Sequence, residues 1–525
     1  MQDNTFIIDQ SVSPAAIKTS PMFNIAVPFI DRHLDEGRSE KVVYFTSEGD
    51  VTFAQLAERV NRTGNVLTSL GLAEGDRVLM VVKDCPEFLY MFFGAIKAGI
   101  VPVPVNTMLY ADDYTYMIED SGCKVLVYSP EFAETVETAL AAAKNQSAVV
   151  LKSVGDGSVA ELAAEAPAEL EPAKSAPEDD CFWLYSSGST GRPKGVVHAH
   201  RAILYTGQGA AIDTIGLNED DICFSASKMF HSYGFGNVLT FPLYIGCSAV
   251  LTDRRVSPKM TFEIIEQFKP TVFFGIPTLY AQQLEYMNSH PTDASSLRVC
   301  VSAGEALPGD IFNRWQEKTG TLILEVYGST EVLHAVLGNT AAAHKPGSSG
   351  LVVDRYEARI VDDDGNTVEQ GDIGTVHIRG GSVAKYYWNS PEKTAATMLP
   401  DGWLSMGDNS YQDEEGWYFF CGRGDDMLKI GGLWCSPFEI EARLIEHPSV
   451  LEAAIVGRSD ENELIKPEAW VILSEGAEEN EALLEELKEH CVSGLSHYKY
   501  PRWYKFVDEL PKTATGKIQR FKLRG

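Results

Sequence analysis

The sequence predicts an α/β protein. A large N-terminal domain of stacked parallel β/α subdomains plus a small β subdomain is expected, followed by a small α+β C-terminal domain. Three observations predict it. Apolar, β-branched runs alternate with helix-period segments through most of the chain. Short alternating strands with Asp/Gly/Asn turns take over near residue 356. A new strand and helix series begins after the polar segment 422–426.

Residues 77–82 (RVLMVV), 124–127, 249–251, 271–274 and 298–301 read as parallel strands, because their faces are apolar on both sides. Residues 53–70 and 259–267 have the apolar spacing of amphipathic helices. The most apolar stretch, 88–105, contains Lys97, Pro102 and Pro104, so it reads as a buried helix running into a strand and not as a membrane span. Residues 160–176, rich in Ala, Glu and Pro, read as a surface connection. Residues 361–366 (VDDDGN) form a turn between short strands, and 374–379 is another strand. Further on, strands at 453–456 and 469–473 alternate with helices at 437–446 and 480–492. The expected boundaries are 1–425 for the N-terminal domain, with its β subdomain at about 350–425, and 426–525 for the C-terminal domain.

A hydrophobic fraction of 44% with 22% charged residues supports a large buried core. The net charge of -30 argues against general binding to nucleic acid or to an anionic membrane. Positive charge is instead concentrated at the end of the chain, where Lys499, Arg502, Lys505, Lys512, Lys517, Arg520, Lys522 and Arg524 are interleaved with aromatic residues. The 9 cysteines are scattered and include no C-x-x-C, which implies reduced thiols, a cytoplasmic location and no zinc site. Met1 is followed by polar and acidic residues, so no signal peptide is expected.

The strongest local motif is residues 185–195 (YSSGSTGRPKG), which follow an apolar strand. Small residues let the backbone approach an anion, glycines let successive N–H groups converge on it, and the hydroxyls and Lys194 add donors and charge. This is a phosphate cradle. It lacks the G-x-x-x-x-G-K-[ST] spacing, which excludes a P-loop kinase that would release ADP.

Five further motifs follow in order: 302–308 (SAGEALP), 327–331 (YGSTE), 402–408 (GWLSMGD), 422–426 (GRGDD) and 511–518 (PKTATGKI). With them the chain resembles the adenylate-forming superfamily of acyl-CoA synthetases, luciferases and peptide-synthetase adenylation domains. The segments FWLYSSGSTGRPKGVVHAH, YGFGN, SPFEIEA, YKYPR and GKIQRFKLR are most similar to the benzoate–CoA ligase branch.

The resemblance implies an ATP-dependent aryl acid–CoA ligase. An acid and ATP would give acyl-AMP and pyrophosphate, and acyl-AMP with CoA would then give acyl-CoA and AMP. Ser186, Ser187, Gly188, Ser189, Thr190, Gly191 and Lys194 would hold phosphate. Gly304, Glu305, Ala306 and Tyr327, with Gly328, Ser329 and Thr330, would line the nucleotide pocket. Asp408 would accept the ribose hydroxyls, and Arg423 would contact ribose or phosphate. Glu331 would be the carboxylate linked to Mg²⁺. Lys517 would span phosphate and carboxylate during adenylation, assisted by Thr190, and is a plausible target of a lysine acetyltransferase. A mobile C-terminal domain rotating about Asp425 would bring Lys429 and Gly431–Gly432 toward the acyl pocket for the second step. His231, Ser232, Tyr233, Gly328, His334 and Ala335 would line the acid pocket.

The chain departs from the benzoate pattern at His231, Ser232 and Ala335, where a second aromatic, a small apolar residue and a larger aliphatic are usual. Benzoate or hydroxybenzoate is therefore expected, with aminobenzoate or an alicyclic acid as alternatives. Other outcomes for the same adenylate are luciferase-like oxidation and carrier-protein loading. An inactive, nucleotide-binding homologue would require a broken motif, and Lys194, Glu331, Asp408, Arg423 and Lys517 are all present. The partners implied are the aryl acid, ATP and CoA, with no nucleic acid and no membrane, in a monomer or homodimer.

Overall fold

The computed structural model describes residues 1–525 except 145–147, 187–191, 425, 431–432, 462–463, 513–517 and 525. Three sheets build the first part of the chain. One is fully parallel, in the order Val101–Pro104, Arg77–Val81, Val125–Tyr128, Val149–Lys152. The second has nine strands. Its parallel centre runs from Ile323–Gly328 through Val299–Ser302, Val272–Gly275, Ile222–Ser225 and Ser248–Val250 to Val42–Phe45, with antiparallel strands at both edges. The third is the antiparallel hairpin Asp180–Ser186/Lys194–Ala199, extended by Tyr386–Tyr387.

Helices cover the sheets as the apolar spacing requires. Phe53–Ser69 starts at a capping box in which Thr52 and Gln55 satisfy each other's backbone, and it buries Leu56, Val60 and Leu67. Pro86–Lys97 is buried along nearly its whole length. Lys97 escapes the cost of an unpaired buried charge through Asp31, 2.7 Å away, and Asn61. One core joins these helices to both parallel sheets. No helix among the described residues is long and apolar enough to cross a membrane. All nine cysteines are free thiols, eight of them buried.

The stacked parallel β/α architecture expected from sequence is present. Two local readings change. Residues 160–176 are not wholly irregular: Val159–Glu165 is a helix, capped by Ser158, that buries Val159 and Ala163. The polar segment 422–426 is partly strand, because Gly422 and Arg423 end the strand Tyr418–Arg423. That strand belongs to a four-stranded antiparallel sheet with Tyr356–Val361, Gly374–Gly380 and Leu404–Gln412.

The last hundred residues carry their own core. Ile440 and Leu444 of helix Pro437–Ile445 and Leu487 and Cys491 of helix Glu481–Gly494 pack with Ile455, Ala469 and Val471 of a three-stranded sheet. Arg520 pairs with Glu441 at 2.8 Å, both buried, and its guanidinium lies over Phe438.

Candidate active site

The motif 185–195 begins at the end of strand Asp180–Ser186 and runs into its antiparallel partner Lys194–Ala199. Lys194 and Ser186 are register partners. Residues 187–191 (Ser187, Gly188, Ser189, Thr190, Gly191) lie outside the described residues. Ser186 Oγ is buried and has no hydrogen-bond partner among them. Lys194 is half-buried, and burial lowers its pKa, offset by the charge of Glu331. Its Nζ sits 4.4 Å from the centre of the Tyr387 ring, and the Tyr387 hydroxyl donates to Glu331 Oε1 at 2.8 Å. Tyr387 thus carries the ammonium on its face and the carboxylate at its tip. Burial, then the nearby Glu331 charge, raises the Tyr387 pKa, so it stays a donor.

Strand Ile323–Gly328 supplies the next group. Residues 325 and 327 are two apart and share a face. Glu325 Oε2 accepts from Leu307 N at 2.9 Å and so ties down the 302–308 motif loop that carries Gly304, Glu305 and Ala306. Gly304 has φ +92°, a conformation that suits glycine. Tyr327 Oη donates to Asp408 Oδ2 at 2.8 Å. Asp408 and Arg423 face each other across the strands Leu404–Gln412 and Tyr418–Arg423, with Arg423 Nε 3.5 Å from Asp408 Oδ1. Asp408 is buried, whereas the Arg423 side chain is half exposed.

Beyond Gly328 the chain turns sharply. Ser329 Oγ approaches Met406 Sδ at 3.9 Å, and the Thr330 carbonyl is 2.9 Å from His198 Nε2. Glu331 lies in the short 3₁₀ turn Thr330–Val332. Leu333 then takes φ +68°, and His334 N bonds to Val332 O at 2.8 Å, a strained γ-turn. This turn reverses the chain between Glu331 and His334. Gly328 has no substitute here, since a Cβ on it would lie 1.9 Å from the His334 carbonyl oxygen.

His334 is buried. Its Nε2 is 3.1 Å from Asn237 Oδ1, and its ring packs edge-on against Phe241 and 5.6 Å from Tyr233. Burial holds its pKa down at about 3, so the imidazole is neutral. Tyr233 Oη donates to the Val301 carbonyl at 3.1 Å. His231 precedes the short helix Ser232–Gly234 and packs edge-on against Phe230. Ser232 is half-buried, and Ala335 is buried opposite Gly328.

The structure therefore brings Lys194, Tyr387 and Glu331 together, and likewise Tyr327, Asp408 and Arg423, and Tyr233 and His334. Lys429 is not drawn into these groups. It is exposed on Leu428–Ile430 with its Nζ over the Trp434 ring. Lys517, Asp425, Gly431 and Gly432 lie outside the described residues. Ile518, next to Lys517, donates its N–H to Glu305 Oε1 at 3.2 Å. Beside Glu305 and Ala306 a cavity of about 460 Å³ opens between the two domains, with Phe420, Trp434, Lys499 and Arg520 on its walls. Tyr387 and Glu325 lie in none of the sequence motifs, and Asn237 ends the YGFGN segment without being a site candidate; their partners are 56, 18 and 97 residues away.

The AMP-binding enzyme family model matches residues 31–388, and that of the AMP-binding enzyme C-terminal domain matches 439–517. The chain is 46% identical to a benzoate–CoA ligase of Thauera aromatica, over 99% of each chain. Its fold is similar to that of an anthranilate CoA ligase solved in complex with anthranoyl-AMP, with a TM-score of 0.93, 40% identity and coverage of 96% of this chain and 97% of that one. It is also similar to a benzoate CoA ligase from Burkholderia xenovorans, with a TM-score of 0.89, 39% identity and coverage of 96% and 100%. On its sequence and its fold, the chain belongs to the AMP-binding enzyme family.

Proposed function

We propose that this chain is an ATP-dependent aryl carboxylate–CoA ligase. The observation that carries the reading is the path of residues 323–334. It sets Tyr327 against Asp408, Glu331 against the Lys194 side of the phosphate hairpin, and His334 against Tyr233 within one turn of chain. The end-to-end similarity to a benzoate–CoA ligase supports the same chemistry.

A carboxylate resists a thiol because its leaving group would be oxide. In the first step a carboxylate oxygen attacks the α-phosphorus of ATP. The bond from that phosphorus to the bridging oxygen breaks, and pyrophosphate leaves. In the second step the CoA sulfur, having lost its proton, attacks the acyl carbon, and AMP leaves with the acyl C–O electron pair. Lys194 and the hairpin backbone would bind phosphate, Asp408 and Arg423 the ribose, and Gly304, Glu305, Ala306, Tyr327, Gly328, Ser329 and Thr330 the nucleotide pocket. Lys517 would supply charge where it builds during adenylation, with Thr190 on the phosphate. Lys429 would act in the second step.

Glu331 is one carboxylate beside a phosphate-binding hairpin, and no cluster of three or more His, Cys, Asp or Glu that could hold a metal exists among the described residues. That donor set fits Mg²⁺, which is held by one or two carboxylates plus phosphate oxygens. When bound, the ion would neutralise charge on the triphosphate.

Further parts of this reading are a domain boundary at 425/426, a hinge at Asp425, a cytoplasmic monomer or homodimer, and acetylation of Lys517 as an off-switch. Benzoate or hydroxybenzoate is the acid we favour. An aminobenzoate is the second reading, supported by the likeness to the anthranilate enzyme and by the Ser232 hydroxyl and small Ala335 in the pocket. A panel of benzoate, hydroxybenzoates, aminobenzoates, alicyclic acids and short fatty acids, scored by AMP release with CoA, ranks them. No AMP release with any aryl acid overturns the reading.

A further inference from the structure

Polar contacts tie the small domain to the large one, among them two that involve no nucleotide-site side chain of the β subdomain. In one, Ile518 N donates to Glu305 Oε1 at 3.2 Å. In the other, Gln282 on helix Pro277–Ser289 donates from Nε2 to Glu452 Oε1 at 3.3 Å. Glu452 belongs to strand Val450–Ser459 of the small domain and is only 4% exposed. A buried carboxylate there needs a counter-charge, and Lys512 Nζ supplies it, 2.6 Å from Oε2 and 2.9 Å from Oε1. Lys512 and Ile518 are themselves paired by an antiparallel bridge, and Gln519 N bonds to Pro511 O at 2.7 Å. Lys512 and Ile518 are therefore both held, Ile518 directly by the large domain and Lys512 through Glu452 and Gln282. Ile445 of the small domain packs against a large-domain core that includes Leu279, Tyr280 and Leu284 of helix Pro277–Ser289.

We propose that Gln282 and Glu452 are positioning residues for acyl-adenylate formation, docking Lys512, five residues before Lys517 in sequence, onto the large domain. The proposal rests on the ligase reading above. The Gln282 amide bonds to Glu452, which in turn holds Lys512, so its effect acts through those two residues.

The test uses the full chain with two separate assays, pyrophosphate release from benzoate and ATP, and thioester formation from supplied benzoyl-AMP and CoA. Gln282→Leu keeps the volume and removes the donor. It is expected to slow pyrophosphate release by about tenfold, the worth of one hydrogen bond to a charged group. Thioester formation and the melting temperature should stay unchanged. Gln282→Glu places like charges together and should slow the first step further. Adding Glu452→Gln to it restores a carboxylate–amide pair and should recover part of the rate, which a merely structural Glu452 would not allow. Unchanged pyrophosphate release in Gln282→Leu, or equal loss in both assays, overturns the proposal. A wild-type chain inactive in both assays with every aryl acid would instead remove the ligase reading.

Discussion

The Tyr327 hydroxyl donates a 2.8 Å hydrogen bond to Asp408 Oδ2, joining the nine-stranded sheet to the four-stranded β subdomain. Burial, then the Asp408 charge, raises the Tyr327 pKa well above its usual value, so the phenol remains a donor at every working pH. One carboxylate oxygen is thus oriented by Tyr327, and the other faces Arg423. Tyr327→Phe removes the orienting bond and little volume. The expected outcome is a rise in the KM for ATP of about tenfold with a smaller change in kcat, measured by steady-state pyrophosphate release.

Glu331 is the carboxylate shared by the Tyr387 hydroxyl and the field of Lys194. Glu331→Gln retains an oxygen that can accept from Tyr387 and deletes only the charge. Adenylation should fall by about 100-fold or more, the scale of losing one group that stabilises transition-state charge. The melting temperature should hold. An unchanged rate would remove Glu331 from the chemistry.

Lys517 adjoins Ile518, whose N–H reaches Glu305. Lys517→Ala should reduce pyrophosphate release from acid and ATP by about 100-fold or more, yet retain thioester formation from supplied acyl-AMP. Equal loss of both half-reactions would reject a role confined to the first.

Glu325 is buried with one backbone donor from Leu307 and a longer contact from Ser349, and burial pushes its pKa up to about 8. A carboxyl raised above its unfolded value holds its proton longer in the folded state. Its ionisation therefore costs stability progressively as pH rises from the ordinary carboxylate range to about 8. Glu325→Gln keeps an acceptor for Leu307 N without the charge. Its stability relative to wild type should grow over that window and level off above pH of about 8, as read by denaturant melts across pH. A pH-independent difference would mean that Glu325 is not titrating there.

The strand and helix order was legible because both parallel sheets are buried on two faces, so residues such as Val78–Val81 and Val299–Val301 are continuous apolar runs. The helix at Val159–Glu165 was not, because its Ala and Glu residues serve a short surface helix as well as a connection. The nucleotide motifs were legible for a different reason. A Gly304 at positive φ and a Gly328 pressed against a carbonyl leave few residue types possible.

By itself, the sequence determined the α/β class, the series of motifs and the residue types we propose for phosphate, ribose and acid. Tertiary structure alone decided which of them meet. Tyr387 reaches Glu331 because strand Tyr386–Tyr387 adds to the phosphate hairpin. Glu452 meets Gln282 because two separately cored domains dock there. Local composition encodes backbone conformation and burial within a few residues, whereas contacts across fifty or more residues depend on how whole sheets and domains pack.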